Sequence, residues 1–231
     1  MSDFVNEAKQ VLAVRERVLG AEHASTLTSK NDLAVALQSV GKFNEAIEMY
    51  KQVLAVQERV LGVEHASTLT SQHNLASVLG SMGNYNEAIE MYKKVLAVQM
   101  RVLGAEHPDT LTSKHNLASL LNSAGKYNEA IEIHKQVLAV QERLLGLEHI
   151  NTLSSKNNLA TALGSAKQFD EAIHLLERDV IPVRTLVVGP NHPDTITAKK
   201  NLSNIKSLRN QHLESLRRKE KASKRRNRRN R

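Results

Sequence analysis

The sequence predicts an all-α protein, a solenoid of stacked helix-turn-helix units. Three observations predict it: a segment that recurs every 42 residues, apolar spacing of the helical kind within that segment, and a composition with only 3% aromatic residues. A fixed period of this length marks units that each bury an apolar face on their neighbours. Abundant Ala, Leu, Glu, Gln and Lys supply the local helical preference. The scarcity of aromatic residues and of Gly argues against a sandwich, a barrel or a sheet that stacks RNA bases.

The 231 residues include no Cys and no Trp. Disulfides, thiolate catalysis, Cys-ligated zinc and iron–sulfur clusters are therefore excluded from this sequence. No apolar run approaches the ~20 residues of a membrane span, and the opening residues lack the basic end and apolar stretch of a secretory leader. A cytoplasmic protein is expected. The formal charge of +8 is unevenly spread: from Lys206 to Arg231, twelve Lys or Arg face only Glu214 and Glu220. The rest of the chain is close to neutral, so the basicity belongs to one end.

Residues 3–19 read as a half repeat, a second helix without its first. Phe4, Ala8, Val11 and Leu12 are then expected to lack their cover. Such a start suits a truncated product or a fragment of a longer repeat protein, with self-association as the alternative cover. Full units follow at 20–61, 62–103, 104–145 and 146–188, opening at Gly20, Gly62, Gly104 and Gly146. In the first helix of the unit, Leu33, Ala36, Leu37 and Val40 share one face by i, i+3, i+4, i+7 spacing. Ser25 or Thr26 is expected to cap its start, replaced by Asp109 in the third unit, where Pro108 also suits a helix beginning. Gly41, Gly83 and Gly125 stand where the chain must turn. In the second helix Phe43, Ile47, Tyr50 and Leu54 form a stripe. The small Ala46, Ala88, Ala130 and Ala172 let two helix backbones approach closely. A fifth start, at Gly189, comes one residue late. Pro182 and the irregular 181–189 segment mark the fourth unit as degenerate. Residues 189–216 read as a terminal capping helix carrying Leu202, Ile205, Leu213 and Leu216, and 217–231 as a disordered basic tail.

Leu33-Ala34, Leu37, Gly41 and Ala46 four residues before Tyr50 resemble the tetratricopeptide repeat, and Ala88 and Tyr92 repeat the last pair. Glu58 stands where that pattern closes with Pro, so the second helix runs on and ends in the Leu103-Gly104-Ala105-Glu106-His107 type of junction. This 42-residue form resembles the kinesin light chain variety, also found in NB-ARC and NACHT proteins. The resemblance spans about residues 4–213 and implies a tetratricopeptide-repeat helix-turn-helix solenoid, wound as a right-handed superhelix. The sequence has neither the heptad coiled coil of a kinesin light chain nor the phosphate-binding loop of an NB-ARC protein.

His23, His65, His107, His149 and His192 recur once per unit. Neighbouring helices pack ~8–10 Å apart, too far for these side chains to share an ion, so they read as residues that fix the turn by hydrogen bonds. No metal and no cofactor is expected. Ser, His and Asp occur without a nucleophile turn, and repetition builds no single constellation of different catalytic groups. A non-enzyme is expected.

The polar face of the first helices carries the candidate site: Lys30 and Asn31; His73 and Asn74; Lys114, His115 and Asn116; Lys156, Asn157 and Asn158; and Asn201. The resemblance implies that these line a concave groove holding an extended, acidic peptide. Asn amides satisfy a peptide backbone and Lys attracts carboxylates. A solvated face repeated by duplication is the competing reading. The expected function is therefore a protein–protein interaction scaffold with a protein or peptide partner. The alternative is a nucleic-acid- or nucleus-associated protein acting through its basic end, which lacks aromatic residues for base stacking.

Overall fold

Periodic apolar stretches separated by turns fold into successive helices. The structure, a computed structural model, describes residues 2–229 and contains no strand among them. Its helices are α1 (Ser2–Leu19), α2 (Ala24–Ser39), α3 (Phe43–Val60), α4 (Ala66–Ser81), α5 (Tyr85–Val102), α6 (Pro108–Ser123), α7 (Tyr127–Leu145), α8 (Ile150–Ser165), α9 (Phe169–His174), α10 (Ile181–Val187) and α11 (Pro193–Arg229), with a π-helical segment, Leu175–Val180, between α9 and α10. They form two compact units, residues 1–124 and residues 125–231.

In the first unit each helix from α1 to α5 packs on the next, and α4 also touches α6. The predicted stripes meet in these contacts. Leu33, Ala36 and Leu37 of α2 are buried, as are Ala46, Tyr50, Val53 and Leu54 of α3. Ala46 and Ala88 are wholly enclosed, which is the close approach that a small side chain allows. Leu12 departs from its expected exposure: with Val5 it is buried on α1, which packs against α2. One face of α1 is thus covered within the unit, while Phe4 and Val11 remain exposed.

The helix starts also differ from expectation. The residue capping α2, α4, α6 and α8 is His23, His65, His107 and His149, not Ser25, Thr26 or Asp109. Each His has extended backbone and its Nδ1 accepts the N–H two residues on, at 3.2 Å. An imidazole lone pair satisfies one of the orphan donors of a helix start, the task a Ser or Asp oxygen usually performs. His192 does the same for Asp194 at the start of α11. At the other end of α2 and α4, Gly41 and Gly83 adopt φ of 78° and 85°, a conformation that costs glycine nothing.

In the second unit α7 packs on α8, and α11 lies against α8, α9, the π-helical segment and α10. Lys167 holds the turn after α8 at φ 65°, the place that Gly41 holds in the 42-residue register. The segment expected to be irregular after Pro182 is helical as far as Val187. A π-helical turn takes one residue more than an α turn, so Leu175–Val180 absorbs the insertion that delays Gly189, and the chain continues helically past Pro182 to Val187. The expectation of disorder from 217 likewise differs from the structure, where α11 runs through Arg229. Pairs at i, i+4, Glu214 with Arg218 and Glu220 with Lys224, support that helix, as does the high helix propensity of Arg, Lys, Glu and Ala. The last two residues of the basic tail lie outside the described residues, as do the side chains at 225, 226, 228 and 229.

Candidate functional site

The candidate residues sit on α2, α4 and α6 of the first unit and on α8 and α11 of the second, each at the place in its helix that the 42-residue register assigns. Most of the amides there have work to do within the chain. Asn31 Nδ2 donates to Ser71 Oγ at 3.0 Å, linking α2 to α4. Asn116 Nδ2 lies 2.9 Å from His73 Nε2, linking α6 to α4. Burial lowers the pKa of His73, so its ring is neutral near pH 7 and accepts this bond. The same ring meets Tyr92 edge-on, with centroids 5.1 Å apart. In the second unit Asn201 Nδ2 donates to Asn157 Oδ1 at 3.1 Å, linking α11 to α8. His115 and Asn158 are half-buried.

The lysines are not the solvent-facing row that the sequence suggests. Lys30 pairs with Glu16 at 3.0 Å and Lys156 with Glu142 at 3.0 Å. Lys156 is only 7% exposed and Lys114 only 9%. The acid partner comes from the preceding helix, fourteen residues back in both pairs. For Lys114 that place holds Met100, and Lys114 has no ion-pair partner among the described residues.

A cleft of about 420 Å³ opens between α4, the end of α5 and the start of α6. It is lined by His73 and Asn74, two predicted residues, and by Thr70, Gln99, Asp109 and Ser113, which sequence reasoning missed. Gln99 is 8% exposed and Ser113 1% exposed. Neither Gln99 Oε1 nor Ser113 Oγ has a hydrogen-bond partner. Between α2 and α4 the equivalent serine, Ser71, is satisfied by Asn31. Here His73 replaces that Asn and turns to Asn116 instead. Substitution of one residue in the register thus leaves Ser113 unpaired in the cleft, whereas the unpaired glutamine oxygen recurs at Gln57 and Gln141. Comparing equivalent positions of the units shows the exchange of Asn31 for His73 in the sequence, but not the cleft.

Helix pairs in a 42-residue register, with polar residues recurring on the first helix of each pair, define an all-α repeat protein of the class that serves as a scaffold for protein–protein interaction. The tetratricopeptide repeat model matches residues 7–59, 30–101, 67–142 and 109–178, and the chain belongs to the tetratricopeptide-repeat family, in its kinesin light chain-like form. Among similar solved structures are the nearly identical TPR-like repeats of a chain assigned as a kinesin light chain in Podosopora anserina, at 39% identity and TM-score 0.70, covering 79% of this chain and 86% of that one. BtubC (BKLC) from P. vanneervenii has 20% identity and TM-score 0.73, covering 90% of this chain and 83% of that one. A Rap protein complexed with competence and sporulation factor has 13% identity and TM-score 0.63, covering 91% of this chain and 65% of that one. The last two share the fold alone. No curated protein matches. No helix among the described residues is long and apolar enough to cross a membrane.

Proposed function

We propose that the chain binds an extended peptide segment of a partner along the polar face of its first helices, as a cytoplasmic scaffold and not as an enzyme. The observation that carries this reading is Asn74, a half-buried amide beside the α4–α6 cleft with no hydrogen-bond partner among the described residues. A free amide at that depth suits the N–H and C=O of a bound backbone. Helices pack ~8–10 Å apart and an extended peptide advances ~3.3 Å per residue, so each unit meets about every third residue of the segment. The acidic preference rests on Lys114, the candidate lysine without an internal acid; Lys30 and Lys156 are neutralised by Glu16 and Glu142. The Rap protein complexed with competence and sporulation factor is a precedent for ligand binding on this fold.

The test is to capture partners on the immobilised chain, map the bound segment by cross-linking, and titrate the synthetic segment. Asn74→Ala and Lys114→Met are each expected to weaken it about three- to tenfold, one hydrogen bond or charge contact apiece, with the helical spectrum unchanged. Added salt should weaken it further. Capture that survives both substitutions but disappears on deleting residues 217–231 would overturn the groove in favour of the basic end.

We also propose self-association through α1, whose Phe4 and Val11 are 58% and 42% exposed beside Val14 and Val18. An apolar patch of this kind usually finds cover. Light scattering is expected to give a dimer or larger species, and Val11→Lys with Val14→Lys to give a monomer. A monomer before substitution removes this proposal.

A further inference from the structure

One place in the 42-residue register reads Arg15, Gln57, Gln99, Gln141 and, after the inserted residue, Arg184. Where it is arginine, the Nη atoms of the guanidinium bond to neighbouring helices. Arg15 Nη1 donates to the Ser25 carbonyl at 3.0 Å and to Ser29 Oγ at 2.8 Å. Arg184 donates from Nη1 to the Asp194 carbonyl at 2.9 Å and from Nη2 to Ser154 Oγ at 2.7 Å. Carried to α5 by the same register, these four acceptors are the Asp109 carbonyl, Ser113 Oγ and Thr70 Oγ1, with Asp109 serving for both Ser25 and Asp194.

All three of those residues line the α4–α6 cleft. The shorter Gln99 does not reach across it, and both Gln99 Oε1 and Ser113 Oγ are left without a partner. An unpaired buried oxygen costs roughly 1–3 kcal/mol, which an occupant bearing N–H donors would recover. The cleft's ionisable lining favours a cation: the carboxylates of Glu64 and Asp109 line it, and no Lys or Arg does among the described residues. Glu64 is shared with Arg101 on the rim, whereas Asp109 lies 3.8 Å from the capping His107. Leu69, Val102 and Leu103 form an apolar wall for an aliphatic stem. The volume, about 420 Å³, is within the range of small-ligand sites.

We propose that this cleft takes the guanidinium of an arginine side chain from a partner polypeptide, repeating from outside the contacts that Arg15 and Arg184 make from within. A segment carrying this arginine next to the acidic residue drawn by Lys114 would be read by both signs of charge. The inference rests on the scaffold reading for the source of the arginine, but the site itself is tested without it.

The probe is N-acetyl-arginine amide, titrated into the isotope-labelled full chain and followed by amide resonances. Saturable shifts are expected at Thr70, Thr112 and Ser113. N-acetyl-citrulline amide, a neutral isostere, should bind more weakly, and N-acetyl-norleucine amide should not bind. Gln99→Arg should fill the cleft from within and abolish the titration while the protein stays folded. Asp109→Asn, at an exposed position, should weaken the probe about two- to fivefold, the range of an exposed ion pair. Absence of saturable shifts, equal binding of citrulline, or an unchanged titration in folded Gln99→Arg would each overturn the proposal. In those cases the segment titration with Asn74→Ala still stands as the separate test of the groove.

Discussion

Tyr50→Ala is expected to lower the free energy of unfolding by about 3–5 kcal/mol, as for other fully enclosed aromatic side chains, whereas Tyr50→Phe should leave it unchanged or raise it slightly. Tyr50 is 0% exposed at the contact of α3 with its neighbours, and its hydroxyl has no hydrogen-bond partner. The ring supplies the packing and the oxygen only a desolvation cost. Burial, reinforced by the charge of Asp32, pushes the Tyr50 hydroxyl up to about 12. Tyr92, its equivalent in the next pair, is also raised to about 12 by burial, but polar groups of Ser77 and Asn116 near its hydroxyl oppose the rise. Tyr92→Phe should therefore cost more than Tyr50→Phe, up to about 1 kcal/mol. The two raised values also set an alkaline limit. In the unfolded chain each phenol loses its proton near pH 10, and in the folded chain only near 12. Stability is thus fully present below about pH 10 and is lost as pH rises toward 12. Urea unfolding of the three variants, repeated from pH 8 to 12, measures all of this. Equal losses for Tyr50→Phe and Tyr92→Phe would mean that Ser77 and Asn116 give the Tyr92 hydroxyl no support.

Arg184→Ala should cost about 3 kcal/mol, since two hydrogen bonds to a charged group are lost at roughly 1.5 kcal/mol each. Arg184 is 3% exposed and ties α10 to the start of α11 and to Ser154 of α8. Its desolvation, only partly relieved by the charge of Asp194, lowers its pKa, so its hydrogen bonds are what make the burial tolerable. Arg184→Met keeps most of the stem packing and isolates the guanidinium; it should retain a loss of more than about 1.5 kcal/mol. The expected signature is early unfolding of the second unit, read by hydrogen exchange at the α11 amides. An unchanged midpoint in both variants would mean that α11 is held by its apolar contacts alone.

The helix pairs, their apolar stripes, the alanines at the close contacts and the glycines at the turns were legible in the amino-acid sequence because each depends on neighbours within one or two turns of chain. Leu33 with Leu37, or Ala46 with Tyr50, announce a buried face by spacing alone. Repetition added the order of the units without any knowledge of contacts. What depended on partners far along the chain was decided by the tertiary structure. Lys30 and Lys156 look like a solvent row in sequence, but packing of the preceding helix delivers Glu16 and Glu142 to them. Asn116 looks free, but its partner His73 is 43 residues away. The histidine caps lay between these cases: the turn role was readable from their recurrence, while the Nδ1 acceptor geometry required the backbone angles of the folded loop. The open α4–α6 cleft belongs wholly to the tertiary level. Its unpaired Ser113 is left when His73 turns to Asn116, a choice among competing hydrogen bonds that no local pattern of residues encodes.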